Sequence, residues 1–91
     1  MKAIEKTKIT KKNITVINAV YVKDFCLKVF FDDGSSQTVD LSEFLENPPN
    51  PIYKKYLKEK NLKKFQIING NLNWNDYEMI FPVANLYRGA I

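Results

Sequence analysis

FCLKVFFDDGSSQTVD, residues 25–40, alternates before it turns. Phe25, Leu27, Val29 and Phe31 recur at every second position and share one face of a strand, while Cys26, Lys28 and Phe30 share the other. This is the pattern of a half-buried strand. Asp32-Asp33-Gly34 interrupts it, because Gly34 accepts the positive φ of a tight turn without steric cost. The short run ending in Thr38, Val39 and Asp40 then supplies the returning arm, and the stretch reads as a β-hairpin.

Upstream, residues 14–22 (ITVINAVYV) are rich in β-branched and aromatic types and predict another strand. Either alternating set suits a core, and the expected inward residues are Val16, Val20 and Val22. Lys23-Asp24 is the expected two-residue connection into the hairpin. Downstream, Asp40 is placed to cap a short helix, with Glu43 three residues on to return a bond to the cap amide. Asn47-Pro48-Pro49-Asn50-Pro51 ends that helix, since proline lacks an N–H and forces the preceding residue out of helical geometry.

Residues 51–61 predict the main α-helix. Pro51 suits its first turn, and Ile52, Tyr53, Tyr56 and Leu57 form an apolar stripe. Lys54, Lys55, Lys58 and Glu59 take the solvent side, with Lys55 and Glu59 spaced to pair across one turn. A second hairpin follows, with residues 65–68 and 71–74 joined by Asn69-Gly70. A last strand is expected within residues 77–81, then a turn or single helical turn over residues 82–87, ending at Arg88-Gly89. The fold class is therefore α+β, with two hairpins and one main helix in a single domain spanning residues 14–91. Residues 1–13, dominated by lysine, read as a basic arm or a frayed first strand.

A chain of 91 residues with 45% hydrophobic content suffices for one modest core. It contains no histidine, which removes the commonest neutral-pH acid or base and the commonest transition-metal ligand. The single cysteine, Cys26, excludes an intramolecular disulfide and points to a reducing compartment, the cytoplasm by default. No apolar run approaches the roughly 20 residues of a membrane helix. Asp32-Asp33-Gly34 lacks the alternating acids and closing glutamate of a calcium loop. Gly34, Gly70 and Gly89 are too far apart for a phosphate-binding loop. Asp76 and Glu78 would alternate to the same face of a strand, which in principle makes an acid pair, but nothing else accompanies it. No catalytic, metal-binding or cofactor-binding residue emerges, and a non-enzyme is expected.

Net charge is +4 and unevenly spread. Residues 51–64 hold six lysines against Glu59, whereas residues 32–46 hold five acids and no base. Nucleic-acid binding is accordingly the alternative to protein binding: Lys54, Lys55, Lys58, Lys63 and Lys64 would meet phosphates, and Tyr53, Tyr56 or Trp74 would offer stacking surfaces. Against it, Tyr53 and Tyr56 lie on the stripe needed for the core, and Trp74 would cover the sheet.

The order of these features resembles a known family. Leu27, Val29, Phe31, Asp33, Gly34, Val39, Asp40 and Leu41 match the L-x-V-x-F-x-D-G … V-D-L hallmark of domain of unknown function 2442. Gly70, Leu72 and Trp74 resemble its G-x-(I/L)-x-W segment, and Pro82 with Leu86-Tyr87 its closing P…L-Y. The resemblance spans about residues 15–87. It departs after the tryptophan, where the family's usual Pro-Asn is replaced by Asn75-Asp76. The resemblance implies a small bacterial α+β domain with a curved antiparallel sheet and a helix packed on it, and it implies no activity. Genes of the family often neighbour a small second protein in a layout similar to toxin–antitoxin pairs, which implies a protein-binding role, with a small partner protein or self-association.

Overall fold

The computed structural model describes residues 13–89 and Ile91. The basic arm expected over residues 1–13 therefore lies outside the described residues except for Asn13. Among the described residues, six strands and four short helical segments follow one another: β1 (Val16–Lys23), β2 (Cys26–Phe31), β3 (Ser36–Asp40), α1 (Ser42–Glu46), a 3-10 helix (Pro51–Leu57), α2 (Glu59–Leu62), β4 (Gln66–Ile68), β5 (Asn71–Trp74), β6 (Met79–Ile80) and α3 (Val83–Arg88). The α+β class holds. Two three-stranded antiparallel meanders, β1-β2-β3 and β4-β5-β6, replace the single curved sheet that was expected. They meet where the Val16 amide donates to the Gly70 carbonyl at 2.9 Å.

The alternation of β2 does what its sequence implies. Leu27, Val29 and Phe31 are fully buried, with Leu27 between Tyr21 and Val39 in the ladder. Phe25 is the exception. It sits with Asp24 in the turn between β1 and β2, both at positive φ (65° and 51°), so the connection falls one residue later than Lys23-Asp24. A bulky residue rarely adopts that conformation, and Phe25 is held there from both sides. Its amide donates to the Tyr21 hydroxyl at 3.1 Å, and its carbonyl accepts from the Leu41 amide at 2.9 Å.

On β1 the expected inward set is overturned after its first member. Val16 is buried, but Val20 and Val22 are 49% and 52% exposed, while Ala19 is buried and Tyr21 half-buried. The register shifts between Val16 and Asn18, so one extra residue enters the strand and the side chains as far as Tyr21 change face, before a second shift between Tyr21 and Lys23.

The main helix is also corrected. Residues 51–57 wind as a 3-10 helix, Lys58 is extended (φ −85°, ψ 119°), and only four residues of α2 follow. Asn50 caps the 3-10 helix by accepting from the Ile52 amide at 3.0 Å. Asp40 does serve the start of α1, accepting from the Ser42 amide and hydroxyl at 2.8 and 2.7 Å, although Leu41 holds the cap position. Those bonds keep its carboxyl below the usual range. The reciprocal bond expected from Glu43 does not form among the described residues.

The second hairpin turns at Asn69 and Gly70, both at positive φ, as Asn-Gly predicts. Trp74, fully buried at the end of β5, donates from Nε1 to the Leu62 carbonyl at 2.7 Å. Tyr56, Phe65 and Phe81 approach it edge-on, with centroids 6.3, 6.4 and 5.9 Å away. Aromatic packing of this kind ties the helical segment to the second sheet. The last strand is shorter than expected, and Pro82 precedes a true helix, α3, which ends at Gly89 in the left-handed conformation.

Candidate functional site

The lysine-rich segment does not present one face. Because Lys58 breaks the helix, Lys55 is turned toward Glu78 rather than Glu59, and its ammonium lies 2.7 and 2.8 Å from the two carboxylate oxygens. Glu59 instead accepts from the Tyr21 hydroxyl at 2.6 Å. Lys63 stacks its ammonium over the Tyr21 ring at 5.2 Å, where the ring's electron-rich face attracts it. The side chains of Lys54, Lys58 and Lys64 are exposed and make no polar contact among the described residues. Of the aromatics considered for stacking, Trp74 and Tyr56 are buried and Tyr53 is half-buried.

Glu78 is the hub of this region. Besides Lys55, it accepts from the Tyr56 hydroxyl at 2.7 Å and from Asn75 Nδ2 at 2.9 Å. Lys55 first, then Asn75 and Tyr56, hold its carboxyl down to about 2. Burial and the bond to Glu78 push the Tyr56 hydroxyl the other way, well above an ordinary tyrosine. This arrangement excludes the acid pair considered for Asp76 and Glu78. Asp76 lies in the loop between β5 and β6, not on a strand, and Glu78 is fully engaged elsewhere.

That loop is unusual. Asn75, Asp76 and Tyr77 all have positive φ (51°, 55° and 70°), a run of three non-glycine residues in a conformation that costs on the order of 1 kcal/mol each. Buried Asn73 holds it, with Oδ1 accepting from the Tyr77 amide at 3.3 Å and Nδ2 donating to the Asn71 and Gln66 carbonyls at 3.2 and 3.4 Å. Sequence reasoning missed Asn73 and the role of Glu78. The one available signal was the Asn73-Trp74-Asn75-Asp76 sequence, whose asparagines and aspartate tolerate left-handed geometry. A cavity of about 470 Å³ opens beside the loop, lined by Lys55, Tyr56, Asn61, Lys64, Gln66, Trp74, Asn75 and Asp76.

The acids of the first hairpin are structural. Asp33 accepts from the Ser35 hydroxyl and amide at 2.6 and 2.9 Å and from the Tyr87 hydroxyl at 2.7 Å, which holds it down to about 2. Asp32 accepts from the amide and hydroxyl of Thr15 at 3.2 and 2.9 Å. Cys26 lies on the outer face of the first sheet, and burial, followed by the nearby Asp40 and Asp24 charges, raises its thiol pKa. Among the described residues no group of three or more cysteine, aspartate or glutamate side chains is placed to hold a metal ion. No helix among them is long and apolar enough to cross a membrane.

The outer face of the first sheet is the other conspicuous surface. Val20 and Val22 stand exposed on β1, Ile17 at the bulge is 60% exposed, and half-buried Phe30 lies under Lys28, whose ammonium is 5.4 Å from the ring centre. Lys28 occupies the middle of this face, paired with Val20 on one side and Thr38 on the other. Among the described residues the second edge of β1 has no ladder partner.

The family described as "Protein of unknown function (DUF2442)" matches residues 16–91, and the chain belongs to it. No curated protein and no solved structure matches the chain.

Proposed function

We propose that this member of the DUF2442 family is a non-enzymatic, cytoplasmic protein-binding module that receives a separate small protein on the outer face of its first sheet. The exposure of Ile17, Val20 and Val22 on a single strand carries the reading. Three aliphatic side chains clustered on a strand whose outer edge, beyond the Val16–Gly70 bond, carries no described ladder fit an unfilled interface better than scattered surface residues do. Lys28 at the centre of the face argues for a distinct partner over a second copy, because a two-fold axis through the face would bring like charges together. The partner's matching surface is apolar with an acidic group opposite Lys28. A toxin–antitoxin-like pair encoded side by side, the arrangement the family resemblance suggests, fits these requirements.

Co-expression with the neighbouring gene product, followed by size-exclusion chromatography with light scattering, tests this. A one-to-one complex that V20D/V22D abolishes while the variant still folds supports it. No complex, or a complex indifferent to that variant, overturns it, as does a stable dimer of this chain alone.

Sequence-blind nucleic-acid binding through Lys54, Lys58 and Lys64 is the second reading, favoured by their freedom from described partners. It loses two of its five lysines to intramolecular contacts, Lys55 to Glu78 and Lys63 to Tyr21, and most of its stacking surface to the core. Its signature is weak, steeply salt-dependent binding without sequence preference.

A further inference from the structure

The cavity beside the left-handed loop brings together opposite charges that do not neutralise each other. Lys64 and Asp76 both line it, yet neither makes an ion pair or side-chain hydrogen bond among the described residues. The neighbouring amides divide in the same way. Asn75 Nδ2 is committed to Glu78, which leaves its Oδ1 as an acceptor beside Asp76. The Gln66 side chain makes no described polar contact, so its amide donor is available together with the Lys64 ammonium. The lining therefore holds a free negative charge and acceptors at Asp76 and Asn75 as well as a free positive charge and donors at Lys64 and Gln66.

Three ligand classes fit this lining poorly. A nucleobase requires an open aromatic face, but Trp74 and Tyr56 are buried. A polyanion meets Asp76, and a simple cation meets Lys64. We propose that the cavity binds a small zwitterion of the α-amino-acid class, with its carboxylate toward Lys64 and Gln66 and its ammonium toward Asp76 and Asn75. At about 470 Å³ the cavity lies within the usual range for small-molecule sites and leaves room for a side chain. The strained run of Asn75, Asp76 and Tyr77 acquires a purpose in this reading, since it carries Asn75 and Asp76 into the lining of the cavity. The site uses different residues from the proposed protein-binding face, and the two readings stand or fall separately.

Titration of the full chain with a panel of L-amino acids up to about 10 mM, each alongside its N-acetyl and methyl-ester derivatives, tests the proposal. The readouts are backbone amide shifts of Lys64, Gln66, Asn75 and Asp76 and the fluorescence of Trp74, the sole tryptophan. At least one amino acid is expected to bind, with both derivatives weaker by about tenfold or more. K64M weakens the amino acid and its N-acetyl form but spares the ester. D76N weakens the amino acid and its ester but spares the N-acetyl form. No shift with any amino acid overturns the proposal, and so does binding in which the derivatives match their parents or the two variants have no effect.

Discussion

The Tyr87 hydroxyl donates a 2.7 Å hydrogen bond to Asp33 Oδ2, fastening the last helix to the tip of the first hairpin. The same ring meets Phe31 edge-on at 5.0 Å. Asp33 has a folded pKa of about 2, below the roughly 3.9 of an unfolded aspartate, so its contribution to stability is complete above about pH 4 and is lost as pH falls toward 2. Y87F removes one of the bonds that lower this pKa. It is expected to lower the urea midpoint at pH 7 and to reduce the loss between pH 4 and pH 2, measured by denaturation at several pH values. A loss on acidification as large as in the native chain would exclude this role.

Glu78 titrates in the same window but from a different site, since Lys55, Asn75 and Tyr56 depress it to about 2. E78Q places an uncharged amide against the Lys55 ammonium. Its urea midpoint should fall clearly below the native one at pH 7. The difference should shrink toward pH 2, where the native carboxyl is itself protonated.

The bulge in β1 separates valines that look equivalent in sequence. V16A should cost about 2 kcal/mol, because two buried methyl groups are lost. V20A and V22A should each stay within about 0.5 kcal/mol. Chemical denaturation of the three variants decides it, and equal costs would mean that the register shift is absent in solution.

Gly34 and Gly70 both have positive φ but differ in their surroundings. A Cβ at Gly34 meets open space, whereas one at Gly70 lies 2.7 Å from the Thr15 Cβ. G34A should cost about 1 kcal/mol from backbone conformation alone, and G70A distinctly more. Thermal melts of both variants test the ordering.

Replacing Trp74 by phenylalanine leaves the buried Leu62 carbonyl without its donor and opens a void among Tyr56, Phe65 and Phe81. A loss of about 2–4 kcal/mol is expected, followed by far-UV circular dichroism because the fluorophore is gone.

Much of the candidate region was hidden from sequence for one reason: its contacts join residues far apart in the chain. Lys55 and Glu59 have ideal helical spacing, yet a single extended residue at Lys58 redirects Lys55 to Glu78 and frees Glu59 for Tyr21. Asp76 and Glu78 have strand spacing, yet Asn73 holds a left-handed loop between β5 and β6. In both places a local periodicity was outweighed by hydrogen bonds that exist only after the chain has folded back on itself.

What sequence alone determined is local: the alternating core of Leu27, Val29 and Phe31, the turns at Asp33-Gly34 and Asn69-Gly70, the service of Asp40 to α1, and with them the α+β class and the family. Period-two burial and turn chemistry act over a few residues and are written directly in residue order. Tertiary structure alone decided that the sheet is two sheets, that β1 changes face after Val16, and that Lys64 and Asp76 line one cavity. A bulge costs one residue of register and leaves no mark in composition, and the packing of the second sheet around Trp74, not any local signal, fixes where the loop and the lysines come to rest.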